Sequence, residues 1–241
     1  MGNGSPCRGG AVAFQPYGAA RRLFNAAPGR ARVAGLLAVL LLAVAGRAAG
    51  AAEPVHILAF GDSLTAGYGL AEADAFPARL QAALAARGIA ARVRNAGVSG
   101  DTTATGRARL DWALAAAPAG GPDLVILELG ANDGLQGLDP ARTRANLAAI
   151  LEVLAARDIP VLLAGMRAPP NLGRAYGAAF DGLYADLARR YGVPLYPFFL
   201  DGVAAEARLN QGDGIHPNAD GVGEIVRRIL PHVIAALEAA G

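Results

Sequence analysis

A serine, an aspartate and a histidine of this 241-residue chain have residue types and positions suited to nucleophilic catalysis. Ser63 lies in the segment GDSLTAGY, while Asp213 and His216 are three residues apart in the segment DGIHPN. A serine hydroxyl attacks an acyl carbon effectively only when a histidine removes its proton, and an acid holds that histidine in the required tautomer. The three residues are therefore candidates for the nucleophile, the acid and the general base of an acyl transfer.

The choice of general base is narrow because the chain contains only three histidines. His56 lies within a predicted strand and His232 within a predicted helix, and neither has a suitable partner motif nearby. His216 lies in a predicted loop, where its ring can reach the group that it deprotonates. We therefore expect His216 to act as the base.

Three further groups could stabilise the negative charge of a tetrahedral intermediate, which needs hydrogen-bond donors directed at its oxygen. They are the backbone N–H groups of Ser63 and Gly100 and the side-chain amide of Asn132, in the segments GDSL, SGDT and GAND. A glycine at position 100 lets the backbone approach a substrate without an intervening Cβ. These donors are the candidate oxyanion hole.

Strands and helices alternate along the chain after residue 54, and this order predicts how the candidate residues come together. Apolar runs predict strands at 55–60, 124–129, 161–164 and 193–196, and the less apolar segment at 91–95 is a further strand candidate. Apolar spacing predicts helices at 76–87, 110–116, 140–157, 175–190 and 221–237, the last kinked at Pro231. This alternation is typical of an α/β fold with a parallel sheet covered by helices on both faces. Ligands of such sheets bind beyond the carboxyl ends of the strands, where the candidate segments lie.

The first 52 residues differ in composition from the rest and predict a signal peptide with an N-terminal extension, followed by one folded domain at 53–241. They contain six of the 22 basic residues and no acid, a thirteen-residue apolar run from Val33 to Ala45, and small residues before Glu53. These are the three regions of a secretory signal peptide. The run is shorter than the roughly 20 residues of a membrane span, which makes an uncleaved anchor the lesser alternative.

Removal of this segment changes what the charge of the chain implies. The net charge of +2 and the pI of about 9.0 belong to the whole sequence. Without the six arginines, 16 basic residues stand against 20 acids, a net charge of −4. We therefore expect a periplasmic or secreted protein with no nucleic-acid partner and no stable membrane span after cleavage. The Sec route is expected, with the twin-arginine route as the alternative because Arg21 and Arg22 are adjacent.

The segments GDSLTAGY, SGDT, GAND and DGIHPN, in this order, resemble the four sequence blocks of the GDSL or SGNH hydrolases. The resemblance extends from about Ile57 to the C-terminal helix and is greatest for the bacterial periplasmic thioesterase I/lysophospholipase L1 group and related arylesterases. It implies a flavodoxin-like three-layer α/β/α sandwich with a mostly five-stranded parallel sheet. It also implies a catalytic triad of Ser63, Asp213 and His216, and an oxyanion hole formed by Ser63, Gly100 and Asn132. Ala131 departs from the Gly-Gly-Asn-Asp form of close relatives.

The resemblance implies a serine esterase or thioesterase that hydrolyses aryl, acyl, lysophospholipid or thioester substrates. We expect a monomer that needs no cofactor and no metal. Residues 134–139 and 168–176 border the acyl pocket in this family. Three alternatives stay open at this point: a carbohydrate-directed acetylesterase on the same fold, a non-catalytic binding protein, and a metallophosphoesterase. The last needs several histidines and aspartates around two ions, whereas this chain offers three histidines.

Overall fold

The computed structural model describes Met1 and residues 53–117 and 120–240. The predicted signal peptide and extension at 1–52 lie outside the described residues apart from Met1, so their assignment stays a prediction. By its internal contacts the chain divides into two units, Met1–Ala51 and Ala52–Gly241. The description below concerns the second unit.

Five parallel strands form the sheet at the centre of this unit. They are β1 (Val55–Gly61), β2 (Ala91–Gly97), β3 (Leu124–Glu128), β4 (Val161–Ala164) and β5 (Leu195–Tyr196), in the spatial order β2-β1-β3-β4-β5. All five residues of β3 are buried, as expected for a strand covered on both faces. The order is that of flavodoxin-like sheets and confirms the predicted α/β fold class.

Helices cover the two faces of the sheet. They are α1 (Ser63–Ala66), α2 (Phe76–Ala85), α3 (Thr103–Ala115), α4 (Ala131–Leu135), α5 (Pro140–Ala155), α6 (Gly173–Tyr191) and α7 (Ala219–Ala240), with 3₁₀ turns at Glu72–Asp74, Pro170–Leu172 and Ala207–Leu209. Helix α2 packs against α7, and α5 packs between α3 and α6. In the part of the chain that the structure describes, no helix is long and apolar enough to cross a membrane.

Two short helices and an earlier helix start are the main differences from the predicted elements. The sequence did not indicate α1 or α4, which begin two residues after the end of β1 and three residues after the end of β3. Helix α3 begins at Thr103 rather than at 110, because Thr102 and Thr105 form a reciprocal capping box at its start. Helix α7 includes Pro231 in its interior, and the kink expected there stays a prediction.

The carboxyl ends of the three strands that precede the candidate segments lie side by side. Strand β1 pairs with both β2 and β3, and Gly61 at its end is the partner of Gly97 and of Glu128. A Cβ at Gly97 would lie 2.3 Å from the backbone nitrogen of Ala66, so glycine is required for β2 to end against α1. The sheet order therefore places the GDSL, SGDT and GAND segments next to each other at the carboxyl ends of the strands.

Candidate active site

The structure brings Ser63, His216 and Asp213 into one chain of hydrogen bonds. Ser63 begins α1 directly after β1, and its Oγ lies 3.0 Å from His216 Nε2. His216 Nδ1 lies 2.7 Å from Asp213 Oδ2. The other carboxylate oxygen of Asp213 accepts the backbone N–H groups of Ile215 and His216, both at 3.0 Å. The acid is thus fixed by its own loop, and it orients the ring toward the serine.

The electrostatics of this pair suit an imidazole that gains and loses a proton. The hydrogen bond from the His216 side chain, followed by the backbone N–H groups of His216 and Ile215, lowers the pKa of Asp213 to about 2. Asp213 is therefore ionised at neutral pH and can stabilise a protonated His216.

Tyr68 and Gln211 hold the histidine loop in place, and the sequence did not indicate Gln211. The Gln211 N–H donates to the His216 carbonyl at 2.7 Å, and its side-chain amide donates to the Tyr68 carbonyl at 2.7 Å and the Pro217 carbonyl at 3.0 Å. The Tyr68 ring lies over the His216 ring with centroids 4.5 Å apart. The segment after the nucleophile and the histidine loop are thereby joined directly.

Asn132 lies where the loops after β1, β2 and β3 meet. Its Nδ2 donates to the carbonyl of Asp101, which follows Gly100, at 2.9 Å, and to the carboxylate of Asp62, which precedes Ser63, at 3.3 Å. The candidate donors of the oxyanion hole are therefore carried by three adjacent loops.

The two backbone donors of the candidate oxyanion hole have room to bind a ligand. Gly100 adopts a left-handed backbone with φ of 87°, and a Cβ there would meet nothing within 4 Å. Among the hydrogen bonds of the described residues, neither the Ser63 N–H nor the Gly100 N–H is a donor. Both groups are thus available to an incoming oxygen.

Two acids next to the candidate residues hold the loops after β1 and β3. Asp62 caps α1 by accepting the Leu64 N–H at 3.0 Å. Asp133 accepts the Thr103 N–H at 2.8 Å and the Thr143 hydroxyl at 3.0 Å, which ties α4 to α3 and α5.

Arg109 holds the loop after β2 against the end of β1. Its guanidinium forms an ion pair with Asp101, donates to the Gly61 carbonyl at 2.9 Å and lies 4.3 Å from the centre of the Phe60 ring. The residue next to Gly100 is therefore fixed by a largely buried cation from α3.

A cavity of about 330 Å³ opens beside Ser63, Asn132 and His216. Its wall is mainly apolar and includes Leu135, Met166, Pro169, Phe198, Leu200 and Ile215. Parts of both segments expected at an acyl pocket contribute, through Leu135 and through 168–170. Arg167 also lines the cavity, with its guanidinium 4.8 Å from the centre of the Phe198 ring. Such a cavity is large enough for a small apolar ligand, and the few polar groups in its wall can orient that ligand.

Metal-binding residue types do not cluster in the part of the chain that the structure describes. Across residues 53–117 and 120–240, no group of three or more histidine, cysteine, aspartate or glutamate side chains is arranged to hold a metal ion. No metal site is therefore proposed from these residues.

The fold and the site together define a class of α/β proteins with a serine, a histidine and an aspartate aligned at the carboxyl edge of a parallel sheet. Residues 59–222 match the model of the GDSL-like lipase/acylhydrolase family. The chain belongs to this family, which confirms the resemblance found in the sequence.

Two relatives and one solved structure show the extent of the similarity. The chain is 41% identical over 175 residues to esterase TesA of Pseudomonas aeruginosa, covering 73% of this chain and 86% of the relative. It is 41% identical over 170 residues to thioesterase 1/protease 1/lysophospholipase L1 of Escherichia coli K12, covering 70% and 79%. The crystal structure of AlinE4, an SGNH-hydrolase family esterase, superposes with a TM-score of 0.65 at 54% identity over 77% of this chain and 97% of that chain.

Proposed function

We propose that this chain, a carboxylic ester hydrolase by family, is a serine esterase and thioesterase that acts through an acyl-Ser63 intermediate. The observation that carries the proposal is the unbroken chain of hydrogen bonds from Ser63 through His216 to Asp213 at the wall of an apolar cavity. This arrangement has the parts and the order of a serine–histidine–aspartate triad.

In the first half of the reaction, Ser63 Oγ attacks the ester carbonyl while His216 Nε2 takes its proton. Ionised Asp213 stabilises the imidazolium, which then protonates the leaving alcohol or thiol as its bond to the acyl carbon breaks, and acyl-Ser63 remains. In the second half, His216 removes a proton from water, the resulting hydroxide attacks the acyl carbon, and Ser63 regains its proton as the carboxylic acid leaves.

The negative oxygen of each tetrahedral intermediate accepts hydrogen bonds from the Ser63 and Gly100 N–H groups and from Asn132 Nδ2. In the free protein this amide already donates to two oxygens, of which the Asp62 carboxylate is the more distant at 3.3 Å. We propose that the oxyanion replaces this longer bond, so that the amide binds the intermediate more strongly than the substrate.

The cavity supports substrates with an apolar acyl or aryl group next to the scissile bond. Its wall is mainly aliphatic and aromatic, and burial of apolar surface there provides binding energy. The names of the relatives, an esterase and a thioesterase/lysophospholipase, support oxygen esters, thioesters and lysophospholipids as the substrate range to test.

Substitution of the nucleophile tests the proposal. Ser63→Ala should lower kcat for p-nitrophenyl butyrate by about 10⁴-fold or more, because the general base then has no hydroxyl to activate. The matched control is Ser99→Ala, which removes an exposed serine hydroxyl from the loop after β2 and should retain activity. A Ser63→Ala protein with near-normal kcat would exclude the mechanism.

Removal of metal ions separates this mechanism from a metal-dependent hydrolysis. Prolonged treatment with a chelator should leave the hydrolysis of p-nitrophenyl butyrate unchanged, because every group in the proposed steps belongs to the chain. Activity that disappears with the chelator and returns with an added divalent ion would contradict the proposal.

A further inference from the structure

Glu128, the last residue of β3, is a fully buried acid directly beneath the turn that carries Ser63. One of its oxygens, Oε2, accepts the Thr65 hydroxyl at 2.8 Å and the Asp62 N–H at 3.4 Å. The other oxygen, Oε1, has no hydrogen-bond partner among the described residues, and no described cation lies within ion-pair distance of either. A buried carboxylate in such surroundings is costly unless it is protonated.

Asp62 is the second acid of this region, and the donors around the two carboxyl groups determine which of them carries the proton. Burial raises the pKa of Asp62 to about 7, but Asp62 accepts the Leu64 N–H and the Asn132 amide, one on each oxygen, and both bonds favour its ionised form. Glu128 has an unpartnered oxygen instead. Burial raises the pKa of Glu128 well above its ordinary value, and the charge of Asp62 raises it further. The proton therefore belongs on Glu128.

The packing around this acid leaves little space for a charged form to relax. A Cβ at Gly61 would lie 2.2 Å from the Thr65 hydroxyl and 2.6 Å from Glu128 Oε2, so the strand backbone is in close contact with both side chains. Rotation of the carboxyl group away from Asp62 would break the bond to Thr65, which belongs to the same short helix as Ser63.

We propose that Glu128 is a positioning residue that works as a neutral acid. Uncharged, it anchors the turn of Ser63 through Thr65 and the Asp62 N–H, and it leaves Asp62 as the charged partner of Asn132. Glu128 does not line the cavity, so its effect on catalysis passes through these neighbours. The inference rests on the proposed role of Ser63.

The charged and titratable groups around Glu128 determine what its ionisation at alkaline pH does to the site. They are Asp62, Asp101, Asp133, Tyr184, His216 and Arg109. Arg109 is bound to Asp101 and to the Gly61 carbonyl, so it does not neutralise Glu128. Ionisation of Glu128 at alkaline pH therefore adds an uncompensated repulsion with Asp62 and shifts the turn that carries the nucleophile.

The pH dependence of Glu128→Gln tests this role, because glutamine copies the neutral acid in shape and charge. The alkaline fall of kcat in the wild type should move upward by at least about one pH unit in this variant, with KM little changed. Glu206→Gln, which removes an exposed carboxylate from the loop before Ala207–Leu209, should follow the wild-type profile. An unchanged alkaline limb in folded Glu128→Gln, or loss of its activity at every pH, would overturn the proposal.

If Glu128→Gln does not fold, a measurement on the wild-type protein shows whether Glu128 is protonated. With glutamate labelled by ¹³C at the carboxyl carbon, one glutamate resonance should remain in the protonated position above pH 7. Glutamate resonances that all titrate in the ordinary acidic range would overturn the proposal. The titration does not depend on turnover, so its outcome is separate from that of Ser63→Ala, which tests the proposed function.

Discussion

The proposed role of Asn132 in the oxyanion hole predicts a specific change in the kinetic constants. Asn132→Ala should lower kcat by about 10²- to 10³-fold, equivalent to about 2.7–4 kcal/mol, because the lost amide contacts the oxyanion more strongly than the substrate. KM should change little. Steady-state kinetics with p-nitrophenyl butyrate measure both constants.

The matched control for this substitution is Asn171→Ala, which removes from the 3₁₀ turn Pro170–Leu172 an exposed amide that does not line the cavity. This variant should behave as the wild type. An Asn132→Ala protein with unchanged kcat would remove the amide from the proposed oxyanion hole.

At the level of single residues, chemistry and spacing indicated Ser63, Asp213 and His216 as candidates, and the structure places them within hydrogen-bond reach of each other. Gln211 could not be found in this way. Its bond to the Tyr68 carbonyl joins positions 143 residues apart, and no pattern within one sequence marks such a contact.

At the level of elements, β1, β3 and β4 were well predicted because buried parallel strands are continuous apolar runs. Strand β2 gave less signal, because it contains Arg92 and Arg94 and is mostly not buried. The short helices α1 and α4 were missed since four and five residues provide no apolar period. The early start of α3 was missed for a similar reason, because its first turns contain Thr103, Thr105 and Gly106 rather than spaced apolar residues. The elements that carry Ser63 and Asn132 are therefore the ones that pattern reasoning describes least well.

The wall of the cavity predicts how a bulky side chain would change acyl-chain preference. Ala168 lines the cavity in the segment between β4 and α6. Ala168→Phe should lower kcat/KM for p-nitrophenyl octanoate much more than for the acetate, because the ring occupies space that the longer chain needs. A series of p-nitrophenyl esters of increasing length measures this preference.

A second phenylalanine placed outside the cavity controls for general effects of the substitution. Ala179 is exposed on α6 and does not line the cavity. Ala179→Phe should keep the wild-type chain-length profile. Equal losses for the acetate and the octanoate in Ala168→Phe would show that this wall does not bind the acyl chain.

At the level of the whole molecule, residues 1–52 contain six arginines and no acid, whereas the remaining chain contains 16 basic residues and 20 acids. We propose that residues 1–52 are an export signal with an extension, so that the exported enzyme has a net charge of −4 and lacks Cys7, the only cysteine. An enzyme without cysteine is well suited to an oxidising compartment.

Expression in a bacterial host with fractionation tests this proposal. The activity should be found in the periplasm or medium, with an N-terminus close to Glu53 and an intact mass clearly below the 24.4 kDa of the full chain. A full-length enzyme that remains in the membrane fraction would instead indicate an uncleaved anchor.

The acyl-Ser63 intermediate is the central claim, and covalent labelling tests it most directly. A fluorophosphonate probe reacts with a serine that a neighbouring base activates. Mass spectrometry of the labelled and digested enzyme should show a single adduct on the peptide that contains Ser63, in parallel with loss of esterase activity. Ser63→Ala and His216→Ala should not be labelled. An enzyme that stays active and unlabelled, or that carries the adduct on another residue, would contradict the account.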